Sequence, residues 1–115
     1  MRRWVIAAVL AAGLAAAAFG AAEEQKLSVT MVTDVAGLGD QGSNDAAWAG
    51  VKRAASEFSC PIKVIQSRDQ AEYAANLSAA AERSKVVVAV GYIIADTVKR
   101  VAPDYTSVHF VQIEG

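Results

Sequence analysis

The polar side chains that could do chemistry gather at a few places in the sequence. Asp34, Asp40, Ser43 and Asn44 lie in or just after a glycine-rich stretch, Tyr92 follows Gly91, and Glu114 precedes the last residue. Carboxylates accept hydrogen bonds, and an asparagine both donates and accepts, so it can pair with the edge of a heterocycle. Such a set suits a neutral ligand rich in hydroxyls and ring nitrogens, a nucleoside or a sugar. Tyr92 is a candidate to stack on a ring, or else to cover the rim of the core. Asn44 has a more ordinary role open to it, since Ser43, Asn44 or Asp45 could each cap a helix. The same stretch spells Gly37-x-Gly39-x-x-Gly42, the spacing of a dinucleotide-binding turn. A pyrophosphate there needs N–H donors and a positive helix end, whereas Asp34 and Asp40 would face it with negative charge. A Rossmann-type oxidoreductase domain is therefore the alternative reading, not the first. No nucleophile–base pair is visible, so no catalysis is expected. One histidine and one cysteine give no metal cage, and no cofactor is expected.

These residues need a frame, and the apolar pattern supplies one. Residues 26–33 have strand composition, with Leu27, Val29 and Met31 alternating onto one face. Trp48, Val51, Ala55 and Phe58 then recur at helical spacing, and Pro61 stops that helix. Ile62, Val64 and Ile65 mark a second strand. Tyr73, Leu77 and Ala80 form the buried stripe of a second helix. Residues 86–90 are a continuous apolar run, as a strand covered on both faces requires. Ile94, Val98 and Val101 mark a third helix ending near Pro103, and residues 108–113 a fourth strand. The string is β-α-β-α-β-α-β. Right-handed crossovers give an α/β fold, a Rossmann-like three-layer parallel sheet in the order 2-1-3-4. Ligands of such sheets sit beyond the carboxyl ends of the strands, near the switch between strands 1 and 3. Asp34–Asn44, Ser67–Asp69, Gly91–Tyr92 and Glu114–Gly115 fall there.

The start of the chain is a different kind of sequence. Arg2 and Arg3 precede an uncharged run from Trp4 to Phe19, and small residues lead to Ala22. Residues 1–22 read as a signal peptide cleaved before Glu23, which directs the protein to the periplasm or the outer face of the cell membrane. No cysteine stands at the cleavage site, so a lipid anchor is not expected. Cys60 reads as a small core residue. The formal charge of -1 becomes two units more negative when the leader arginines go. That balance points to a solute and away from nucleic acid.

Thr33-Asp34, Gly37-Leu38-Gly39-Asp40, Asn44-Asp45 and Ala47-Trp48-x-Gly50 closely resemble the opening of the basic membrane protein family, the PnrA-like purine-nucleoside-binding proteins of ABC transporters. Tyr73, Asn76-Leu77, Val90-Gly91-Tyr92, Ala95-Asp96 and the strand from Phe110 to Glu114 look like its later landmarks. The resemblance implies a periplasmic-binding-protein lobe, a purine nucleoside in its cleft and an ABC permease as partner of the full-length parent. It carries the ligand-binding role to Asp34 and Asn44, with Asp40, Ser43, Gly91, Tyr92 and Glu114 around them. Ser43 stands where the family has an aromatic that stacks on the base, a contact worth about 1–3 kcal/mol in nucleic-acid binding. Glu114 stands where the family often has Asp. Family members are much longer and close a second lobe over the ligand, so residues 23–115 are expected to be a truncated N-terminal lobe.

Overall fold

The computed structural model describes residues 26–114; the expected signal peptide and Gly115 lie outside them. Four strands, β1 (Val29–Val32), β2 (Ile62–Ile65), β3 (Val86–Val90) and β4 (His109–Ile113), alternate with three helices, α1 (Ser43–Phe58), α2 (Tyr73–Arg83) and α3 (Tyr92–Val101). The sheet is wholly parallel and runs β2-β1-β3-β4, the order expected from the sequence. Register places Val32 beside Ile65 and Ala89, so the carboxyl ends of the central strands are level.

The two faces of the sheet are filled differently. α2 and α3 cover one face. There Leu77, Ala80, Ile94 and Val98 pack with Val32, Val87 and Ala89. α1 meets β2, β1 and β3 on the other face, where Ala47, Val51 and Cys60 pack with Val29, Met31, Val88 and Val90. The alternation Val87/Ala89 against Val88/Val90 is the period of two expected of a strand with both faces inward.

Val29 and Met31 share one face of β1, and the strand is buried along its whole length on both faces. Thr30 and Thr33 are fully enclosed, and their hydroxyls bond across to Ser84 and to the Ser67 N–H. A central strand buries both faces, and its polar side chains must then find partners. Phe58 shares the helical spacing of Trp48, Val51 and Ala55, yet it is 65% exposed. It sits in the last turn, where Ser59 in the left-handed conformation (φ 51°) ends the helix before Pro61.

Between α1 and the β3–β4 half of the sheet a groove of about 700 Å³ remains open. Val86, Val88, Val111 and Ile113 form its floor, and Ala46, Gly50, Ala54 and Phe58 its α1 wall.

Candidate functional site

The site begins where β1 ends. Asp34 Oδ1 accepts the Ala36 N–H at 3.0 Å, which turns the chain out of the sheet. The same oxygen accepts Asn44 Nδ2 at 2.8 Å, and Nδ2 also donates to Asp40 Oδ2 at 3.0 Å. Asn44 thus bridges two carboxylates from the first turn of α1, and it is 1% exposed. Its Oδ1 is buried without a partner.

Gly91, at the end of β3, completes the cluster. Its φ is 116°, a conformation that side chains rarely adopt. A Cβ there would collide with Asp34 Oδ2 and stand 3.0 Å from Asp34 Cγ. The missing side chain is what lets the ends of β1 and β3 close on one another. The Gly91 N–H donates to Ile113 O at 2.9 Å, and Gln112 Nε2 donates to Gly91 O at 2.8 Å, so β4 fixes this turn as well.

Asp40 has a different task. Its carboxylate accepts the N–H groups of Gly42, Asn44 and Asp45 at 2.9–3.1 Å. The Gly42 N–H does most to pull its pKa down to about 2, and the Asn44 and Asp45 donors add to that against partial burial. Asp45 answers in the opposite direction, accepting the Gly39 and Gln41 N–H groups at 2.7 and 3.0 Å. The capping expectation is corrected here. Gly42 stands at the N-cap with no side-chain bond, and none of Ser43, Asn44 and Asp45 caps; Asp40 reaches in from the loop to do it.

The rest of the loop is tied down by neighbours. Gln66, just after β2, accepts the Leu38 N–H at 3.0 Å, and the buried Tyr73 hydroxyl accepts the Val35 N–H at 3.1 Å. Burial raises the Tyr73 pKa, and the nearby charge of Asp34 adds to the rise. Backbone N–H groups at Val35 to Gly39, Gln41, Gly42 and Asn44 to Ala46 all have protein acceptors. A dinucleotide turn works by leaving such donors free for phosphate. The reading of Gly37-x-Gly39-x-x-Gly42 as that fingerprint is therefore not favoured.

Of the residues singled out in the sequence, Asp34, Asp40, Asn44 and Gly91 come together. Tyr92 opens α3 beside them with 72% of its surface exposed. Ser43 and Glu114 line the upper end of the apolar groove instead. Asp45, Gln66, Tyr73 and Gln112 were not singled out for this site, although each holds part of it. Gln66 and Gln112 lie at or next to the carboxyl ends of strands, which was the available signal. Nothing in the periodicity of Tyr73 revealed that its hydroxyl reaches another loop.

A parallel α/β lobe with an acceptor cluster at its β1/β3 switch is the architecture of periplasmic-binding-protein-like solute receptors. The chain belongs to the family described as Bmp, ABC transporter substrate-binding protein PnrA-like, whose pattern matches residues 27–115. It is similar to an ABC transporter system solute-binding protein of Aeropyrum pernix K1, with 30% identity and a TM-score of 0.71. That match covers 77% of this chain and 25% of the other, so this chain spans about a quarter of that protein's length. It also shares its fold with a protein from Peptoclostridium difficile 630 described as a lipoprotein fragment. That likeness has 22% identity and a TM-score of 0.68, and covers 76% of this chain and 72% of the other.

Proposed function

We propose that residues 23–115 form one wall of the ligand cleft of an exported ABC-transporter substrate-binding protein. In this reading the ligand is a purine nucleoside, the chain has no enzymatic activity, and a permease receives the solute from the full-length parent. The observation that carries the reading is Asp34. Its carboxylate lies at the β1/β3 switch, held by Asn44 and Ala36, and no cation pairs with it among the described residues. Ribose hydroxyls and purine N–H groups are donors that such an acceptor takes, while a phosphate is repelled by Asp34 and Asp40 together. Asn44 in this reading orients Asp34 rather than exposing its own amide.

A single wall leaves the ligand half in water, where each polar contact competes with solvent. Binding by this chain alone is then no tighter than about millimolar, a total of about 4 kcal/mol. Titration with inosine, guanosine or adenosine followed by amide chemical shifts tests this. The expected outcome is saturable shifts at Asp34, Asn44, Gly91 and Tyr92, at least tenfold weaker in Asp34→Ala, since a hydrogen bond to a charged group is worth about 1.5–3 kcal/mol. Shifts confined to other regions, or unchanged affinity in a folded Asp34→Ala, would remove this site from the reading.

A further inference from the structure

The groove beside α1 is not uniform along its length. Its floor is made of two neighbouring rows, Val86 and Val88 of β3 and Val111 and Ile113 of β4. Register sets Val86 beside His109 and Val88 beside Val111. The period of two along β4 therefore puts His109 on the same face as Val111 and Ile113, at the amino end of that floor. A second cleft of about 410 Å³ opens there, lined by Leu27, Lys85, Val86, Ser107 and His109. Leu27 and Val86 line both spaces, so the apolar groove runs on into the polar cleft.

The two ends differ in charge. At the amino end the Lys85 ammonium, the His109 imidazole and the Ser107 hydroxyl can all donate hydrogen bonds. Among the described residues neither Lys85 nor His109 takes part in an ion pair. Glu114 stands at the carboxyl end instead, beside Ser43, and every other residue lining the groove is apolar. An anionic group therefore suits the amino end and is repelled at the other. Charge-assisted bonds from Lys85 and His109 are the stronger kind for holding it. The groove's volume of about 700 Å³ is that of a small-molecule site. A Cβ built on Gly50 meets nothing within 4 Å, so the α1 wall leaves room for a chain to lie along it.

We infer that the groove binds a free single-chain amphiphile, an apolar tail with a carboxylate or phosphate head. The head meets Lys85, Ser107 and His109, and the tail lies along Val86, Val88 and Val111. This site is at the opposite end of the strands from Asp34, and it does not depend on the ligand proposed there.

Laurate, titrated into the purified protein below its micelle concentration, tests this by calorimetry and amide chemical shifts. The expected result is one saturable site, with shifts at Val86, His109 and Val111. Dodecyltrimethylammonium, which has a similar tail and a cationic head, should bind at least about tenfold more weakly. Acetate, which lacks the tail, should not saturate over the same concentrations. Lys85→Glu should weaken laurate about tenfold, because repulsion replaces a charge-assisted bond. Gly50→Leu should weaken it about as much by filling the groove. That variant keeps the helix, because the position is open and leucine is the better helix former, and far-UV circular dichroism verifies this. Equal affinity for the two head groups, uptake without saturation, or indifference to either substitution would overturn the inference. A dimer in sedimentation that Gly50→Leu abolishes would assign the groove to a second copy. Co-sedimentation with phosphatidylglycerol vesicles that laurate does not displace would assign it to a membrane surface, and either result would overturn the inference equally.

Discussion

The two faces of the sheet receive the same kind of strand residues but different amounts of cover. On the α2–α3 side, Leu77, Ala80, Ile94, Val87 and Ala89 are fully enclosed. On the α1 side, Val88 and Val90 are enclosed beside α1, while Val111, on the same face of β4, is 44% exposed. The difference follows from connectivity. The return from β2 to β3 and the step from β3 to β4 both put their helices on one face, and only the β1–β2 connection puts one on the other. A strand's sequence reports that it is apolar, whereas the topology decides whether anything lies over it.

The largest effect is expected on the closed face. Leu77→Ala removes a fully buried side chain between α2 and the sheet, and should cost about 2–5 kcal/mol in a denaturant melt. A cost comparable to that of surface changes would mean that the closed face is looser than its burial implies.

A second substitution probes how the lone helix of the open face is fastened. The folded pKa of Asp40 lies near 2, below its unfolded value, so its contribution is present above that unfolded value and is lost as pH falls through 2. Asp40→Asn should lower stability at neutral pH. The gap between the two proteins should close between about pH 5 and pH 2 as the native carboxylate protonates. Parallel pH–stability curves would show that Asp40 does not fasten α1 by its charge.

The smallest effect is expected at Val111. In the chain that starts at Glu23, Val111→Ala should change stability by no more than about 0.5 kcal/mol. A larger loss in the same melt would reveal that something covers the open face.

Much of this architecture was legible in the sequence, and the reasons are physical. The strand order followed from β-α-β alternation and crossover handedness, and the Asp34–Gly91 neighbourhood followed from the switch-point rule. What escaped depended on contacts between distant segments. The sequence of β1 alternates, yet its position between β2 and β3 buries Thr30 and Thr33 with Val29 and Met31. The capping of α1 escaped because Asp40 reaches past Gly42 instead of the N-cap residue bonding to its own helix. Phe58 has the spacing of a core residue, but the last turn of α1 carries it beyond the sheet's cover. Gln66 and Tyr73 are separated from the loop they hold by 28 and 38 residues, a distance no local pattern spans.

On the proposed reading, in which the Asp34–Asp45 loop faces a ligand, its dense bonding bears on the rate and cost of recognition. Nearly every donor in this loop is spoken for before any solute arrives, so little motion remains to be frozen out on contact. The entropy lost in ordering a loop, which weakens many complexes, is largely absent at this wall. Arrival is then limited by diffusion and orientation, and discrimination between solutes rests on how fast each departs. On that reading the loop would act as a fixed template, with its shape set before contact.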